Sequence, residues 1–225
     1  MSGDHEARIL ESWHRNADAW SAAVRERRIE SRALATDQAI TEAVLGRAPR
    51  SVLDIGCGEG WLARALAARG IQVLGIDANP VLTARARAAG GGEFRVATYQ
   101  QAAAGLLDFR ADVAVCNFSL LGCESVDALF AGIAGMLAPQ GTFMVQTLHP
   151  LHAGTDRPYQ DGWREGSWCG FSADFTDPAP WYFRTMESWE ALFRRHRLRL
   201  LQRREPLHPR TRQPASVIFI ADVMA

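Results

Sequence analysis

The sequence predicts an α/β fold, a mostly parallel sheet flanked by helices, on three observations. Between Ser51 and Leu148, short apolar runs alternate with segments of helical character. The first run, Val52-Leu53-Asp54-Ile55, ends in a glycine-spaced turn, Gly56-Cys57-Gly58-Glu59-Gly60, and the second ends on an acid, Asp77. Strands separated by one helix each must lie parallel and connect by right-handed crossovers.

The elements follow in order. Residues 4–45 read as helix: Ile9, Trp13, Ala17, Trp20 and Val24 recur every three or four positions and form one apolar stripe. A second helical stretch covers Ser31–Leu45, and Gly46 stops it. SVLDIG is the first strand, and GWLARALAARG is a helix closed by Gly70. IQVLGID is the second strand, followed by a helix with Pro80 at its start. EFRVAT and ADVAVCNFSLL read as the third and fourth strands, SVDALFAGIAGML as a helix, and GTFMVQTL as the fifth strand. TMESWEALFRRH is a helix capped by Thr185, and RLRLLQRREP and ASVIFIADVMA are closing strands. Residues 150–184 break the rhythm with four prolines and eight aromatic residues. A segment that long in a compact domain is usually a binding loop or lid, the alternative being that its aromatics are core under an Ω-loop. One domain is expected over 1–225: N-terminal helices at 1–46, a core at 47–149, a lid insertion at 150–184, and a final helix and strands at 185–225.

Composition narrows the function. Hydrophobic residues are 48% and charged residues 22%, and formal net charge is zero. Nucleic-acid binders carry a basic surplus, so no nucleic-acid partner is expected. All 25 basic residues are arginine. Without lysine there is no Schiff-base or P-loop chemistry. No apolar run has the length of a signal peptide or membrane span, and the four cysteines form no CxxC pair. A cytoplasmic protein with free thiols, no metal site and no membrane partner is expected, as monomer or homodimer.

The glycine turn carries the chemistry. Glycines spaced GxGxG let a ligand approach the backbone of a strand–helix turn. A dinucleotide fingerprint puts its third glycine one position later, where this chain has Trp61. Asp54 would repel a pyrophosphate but pairs with an amino group. Asp77 stands about 20 residues beyond the first glycine, where such folds hydrogen-bond ribose. An adenosyl amino acid fits this set better than a dinucleotide.

These residues closely resemble the class I S-adenosylmethionine-dependent methyltransferases. VLDIGCGEG resembles their first motif, the strand ending in Asp77 their ribose site, and LAPQGTFMVQT their segment usually written LxPGG, with Gln140 in place of the first glycine. The resemblance implies a Rossmann-like seven-stranded sheet in the order 3-2-1-4-5-7-6, strand seven antiparallel, with helices on both faces. It implies S-adenosyl-L-methionine as cofactor, held by Asp54, Gly56, Cys57, Gly58, Gly60, Asp77 and Ala78. Thr98, Tyr99 and Gln100, then Asn117, Phe118 and Ser119, would meet it from the ends of strands three and four.

Expected from this is methyl transfer to oxygen or nitrogen of a small-molecule acceptor, with Trp163, Trp168, Trp181 and Tyr182 of the lid facing that acceptor. Aromatic faces attract a sulfonium cation. His149, at the end of the fifth strand, is the candidate general base, and His152 a second one. The run Arg194, Arg195, Arg197, Arg199, Arg203 and Arg204 reads as a solvated face. The rival readings are a carbon or macromolecular acceptor, a nicotinamide-dependent oxidoreductase on a Rossmann sheet, and a non-catalytic adenosyl-binding module.

Overall fold

Four runs rich in valine, leucine and isoleucine are largely buried, which places them inside a sheet, and a fifth, half-exposed run lies at its edge. They are β1 (Ser51–Ile55), β2 (Gln72–Asp77), β3 (Glu93–Val96), β4 (Ala111–Asn117) and β5 (Leu137–Thr147). The computed structural model describes residues 2–224; Met1 and Ala225, the outer ends of the first and last expected segments, lie outside the described residues. Two short strands, β6 (Gly162–Arg164) and β7 (Trp181–Phe183), form a separate antiparallel hairpin. Two longer ones, β8 (Leu198–Arg204) and β9 (Val217–Val223), close the main sheet.

The seven-stranded order is β3-β2-β1-β4-β5-β9-β8. Strands β1 to β5 pair in parallel, and β9 runs antiparallel to both β5 and β8. Counted without the hairpin, this is the expected order with its antiparallel seventh strand.

Alternation along each strand feeds two cores. Leu53, Ile55, Ala114, Cys116, Phe143 and Phe219 face α7 (Glu124–Met136) and α8 (Met186–Arg195), where they meet Phe130 and Phe193. Val52, Val113, Val115 and Met144 face the other side, against Ile40 and Val44 of α3 (Asp37–Leu45) and Leu62 and Leu66 of α4 (Trp61–Ala67). Thr185 caps α8, and Asn79 caps α5 (Pro80–Ala89).

Departures from the expected elements have local causes. The fourth strand stops at Asn117 because Phe118 takes φ +54° and turns the chain. A short helix, α6 (Tyr99–Ala103), follows β3, held by a capping box in which Thr98 and Gln101 satisfy each other's backbone N–H groups. β5 begins at Leu137 with a register irregularity between Ala111 and Val113 of β4, and Gln140 sits there at φ +64°. The N-terminal helix is two helices, α1 (Ser2–Arg15) and α2 (Ala17–Arg25), and a π-helical turn at Arg32–Thr36 leads into α3.

The arginine run is a solvated face: Arg195 pairs with Asp127, Arg199 with Asp222, and Arg203 with Glu190 and Glu205. Among the described residues no helix is long and apolar enough to cross a membrane, and no cluster of His, Cys, Asp or Glu has the makings of a metal site.

Candidate active site

The glycine turn sits at the carboxyl end of β1, where the neighbouring strands β2 and β4 also end. That edge is the open rim of a parallel sheet, the usual place for a ligand. A cavity of about 670 Å³ opens there. Its walls hold Gly56 and Gly58 after β1, Asp77 and Ala78 after β2, Thr98, Tyr99 and Gln100 after β3, and Asn117, Phe118 and Ser119 after β4. Ten of the thirteen expected cofactor residues thus meet in one space. Cys57 faces a second, smaller cavity; Asp54 lies beneath the floor, 2% exposed; Gly60 faces neither cavity.

The three glycines have different reasons to be glycine. All take positive φ. A Cβ on Gly56 would stand 2.3 Å from the Cβ of Ser119, so that glycine lets the β4 loop approach. A Cβ on Gly58 would meet only the indole nitrogen of Trp20, at 3.7 Å, and would otherwise fill the cavity. A Cβ on Gly60 would press on Phe94 and Ala86 at 2.9–3.0 Å. The expectation that Gly60 touches the cofactor is therefore corrected: it packs the start of α4 against β3 and α5.

Asp77 ties the turn together. Its Oδ2 accepts the Gly58 N–H at 2.8 Å and its Oδ1 the Asn79 N–H at 2.8 Å. Burial raises its carboxyl, and these two donors hold it down. Asp54 has no such help. Burial, and after it the charge of Asp77, pushes its carboxyl up to about 7.

Six buried polar atoms among the described residues have no hydrogen-bond partner, and three of them are Oδ2 of Asp54, Oδ1 of Asn117 and Nη2 of Arg32. Of these three, two are acceptors that suit an ammonium, and one is a cationic donor that suits a carboxylate. Arg32 is 8% exposed, its Nε donates to Asp37 at 3.0 Å, and its guanidinium lies 4.9 Å from the Trp61 ring and 5.5 Å from Trp20. Together they match the two charges of an amino-acid zwitterion, and the residues present fit S-adenosylmethionine. Sequence reasoning missed Arg32, because nothing local distinguishes one arginine among 25 basic residues.

The second cavity, about 380 Å³, shares Trp13, Trp20, Gly58, Asn117 and Phe118 with the first. Trp168, Trp181 and Tyr182 of the 150–184 segment line it. Trp163 does not; it stacks on His5 of α1, with ring centroids 4.5 Å apart.

The N-terminal helices, read from sequence as an apolar stripe, turn out to be half of the cover. Ile9, Leu10, Trp13 and Trp20 line the larger cavity. Asn16, 1% exposed, donates to the Thr176 carbonyl and accepts the Thr176 N–H, and Ser12 donates to the Asp177 carbonyl. The Asn79 side chain donates to the Trp13 carbonyl.

The two histidines lie off both cavities. His149 is 3% exposed; its Nδ1 accepts the Leu151 N–H at 3.3 Å and its Nε2 faces Glu205 at 3.6 Å. Burial lowers its pKa, with Glu205 opposing. Thr147, Leu148 and Pro150 line the smaller cavity, whereas His149 does not. His152 lines a separate surface groove beside His208 and Glu30.

The family described as methyltransferase domain matches residues 25–205, most of the chain. The chain belongs to that family. It carries a methyltransferase domain. A malonyl-[acyl-carrier protein] O-methyltransferase of Methylovorus sp. is 29% identical over 161 residues, 64% of this chain and 51% of the relative. The chain therefore spans about half the length of that curated relative. Among solved structures, the Burkholderia thailandensis 1,6-didemethyltoxoflavin-N1-methyltransferase, with bound 1,6-didemethyltoxoflavin and S-adenosylhomocysteine, is 19% identical. It covers all of this chain and 91% of its own at a TM-score of 0.66. An S-adenosylmethionine-dependent methyltransferase from Mesorhizobium loti is 22% identical, covering 80% and 97% of the two chains, at a TM-score of 0.59. Both likenesses concern the fold.

Proposed function

We propose that this methyltransferase transfers the methyl group to a small planar acceptor seated in the smaller, aromatic cavity. The carrying observation is the pairing of two cavities that share Gly58, Asn117 and Phe118, one polar at its floor and one walled by tryptophan and tyrosine. The bound cofactor supplies a methyl group already activated on a sulfonium. The chain's residues then bind, orient and exclude water.

In this reading Asp77 accepts from the ribose hydroxyls, and Asp54 with Asn117 takes the ammonium. Arg32 takes the carboxylate, and Gly58 leaves room for the chain between them. Ala78, Thr98, Tyr99, Gln100 and Phe118 flank the adenine. Trp168, Trp181 and Tyr182 keep water from the acceptor. His149 holds the turn after β5 rather than moving a proton.

The Methylovorus relative is named for an acceptor carried on a protein. We favour a free small molecule because a malonyl thioester has no ring to use these aromatic walls. Calorimetry with S-adenosylhomocysteine tests the assignment. Micromolar or tighter binding is expected in the native protein, with weaker binding in Arg32→Met and in Asp77→Ala. Equal affinity in all three proteins would place the cofactor elsewhere.

A further inference from the structure

The smaller cavity holds one cation that the cofactor assignment leaves unused. Arg184 follows β7 and lines the cavity, and it is 6% exposed. Its Nη1 donates to the Gly122 carbonyl at 2.9 Å and its Nη2 to the Cys123 carbonyl at 3.1 Å. The guanidinium lies 4.8 Å from the Tyr182 ring and 5.0 Å from Trp189. It forms no ion pair among the described residues.

The acids around it are engaged elsewhere. Asp161 accepts the Thr185 N–H, and Asp127 takes Arg195 and His196. Both line a second groove that Arg184 and Tyr182 also border, and neither lines the smaller cavity. Glu59, the carboxylate on the cavity wall, is paired with Arg64 and Arg25. Arg32 pairs with Asp37. Within the smaller cavity Arg184 therefore has no carboxylate partner, and Asp161 and Asp127 act on it only from the neighbouring groove.

A buried cation held by carbonyls alone is costly. Carbonyl dipoles and ring faces stabilise it in part, and an anion completes the set. Apart from Ser31, Asn117 and Thr147, the remaining walls are apolar and aromatic, among them Leu120, Leu148, Phe171 and Trp181. We infer that the acceptor is a planar aromatic acid, bound as its anion with the charged group toward Arg184 and the ring among the tryptophans. This rests on the proposed reading of the smaller cavity as the acceptor site.

Matched pairs of probes test it: 1-naphthoate against 1-naphthamide, and indole-3-carboxylate against indole-3-carboxamide. Binding is measured by calorimetry with S-adenosylhomocysteine saturating, so that Arg32 is already taken. Each carboxylate is expected to bind about 10–100-fold tighter than its amide, the range of a hydrogen bond to a charged group. In Arg184→Met the ratio falls to about one, and in Arg32→Met, read without S-adenosylhomocysteine, it persists. Should Arg184→Met fail to fold, Arg184→Gln keeps a donor for the Gly122 carbonyl and carries the same expectation. A purely structural Arg184 would change stability without changing the ratio. A ratio near one in the native protein, or one that survives loss of the Arg184 charge, overturns the inference. Failure of S-adenosylhomocysteine to bind overturns the cofactor assignment instead, and the ratio remains readable in Arg32→Met.

Discussion

Asp54→Asn separates the electrostatics of the floor from the fold. Burial and Asp77 raise the Asp54 carboxyl from 3.8 to about 7. At about 1.36 kcal/mol per tenfold change in proton affinity, ionising it in the folded, ligand-free protein costs about 4 kcal/mol. Local relaxation that lets water reach the carboxylate makes this an upper figure. The sign follows from linkage. The folded state binds this proton more tightly than the unfolded chain, so the contribution is fully present below pH 3.8 and is lost as pH rises through 7. The variant has no proton to lose there. Its stability relative to the native protein should therefore grow by up to about 4 kcal/mol between pH 4 and pH 8. Urea denaturation of both ligand-free proteins at several pH values reads this difference. The variant's binding should move oppositely, with S-adenosylhomocysteine affinity falling about 10–100-fold through loss of a charge-assisted bond to the ammonium. Native binding near pH 6 should release up to about one proton, seen as calorimetric enthalpies that depend on the buffer. Stabilities of the two proteins that run parallel across the pH range would refute the account of Asp54.

Other expectations follow from the same geometry. Asp77→Ala removes a carboxylate that also accepts the Gly58 and Asn79 N–H groups, and calorimetry should show cofactor binding weakened by about 1–3 kcal/mol. Gly58→Val should abolish binding through the cavity, whereas Gly60→Val should lower the melting temperature, because its side chain meets Phe94 and Ala86; the two effects are separable by thermal shift with and without ligand. His149→Ala should retain turnover within a few-fold of native with an identified acceptor; a loss of about 10²–10⁴-fold would restore it as general base. Hydrogen exchange should slow together in 2–25 and 162–183 when S-adenosylhomocysteine binds, and Asn16→Ala, which cuts the tie to Thr176, should uncouple them.

Much of this protein was legible along the chain. The alternation of apolar runs with helices, the glycine turn and the acid ending the second strand are local patterns, set by backbone geometry and by what a strand–helix turn can hold. They determined the parallel sheet, and they point to a site at its carboxyl edge and to an adenosyl cofactor. Even there, the sequence could not say which glycine served the ligand, because the neighbours of Gly56 and Gly60, Ser119 and Phe94, are distant in the chain.

The tertiary structure decided the rest. It turned His149 toward Glu205, because which side of a loop a side chain takes depends on packing from β8 and not on the strand that precedes it. It brought Arg32 to the site, and it made the N-terminal helices and the aromatic insertion one cover through Asn16, Ser12 and Trp13. An amphipathic stripe shows that a helix has an apolar face, but not what that face covers. Part of the candidate cofactor set was readable because Asp54, Gly58 and Asp77 lie within one βαβ unit, whereas the walls of the smaller cavity come from segments more than a hundred residues apart and exist only after the chain has folded.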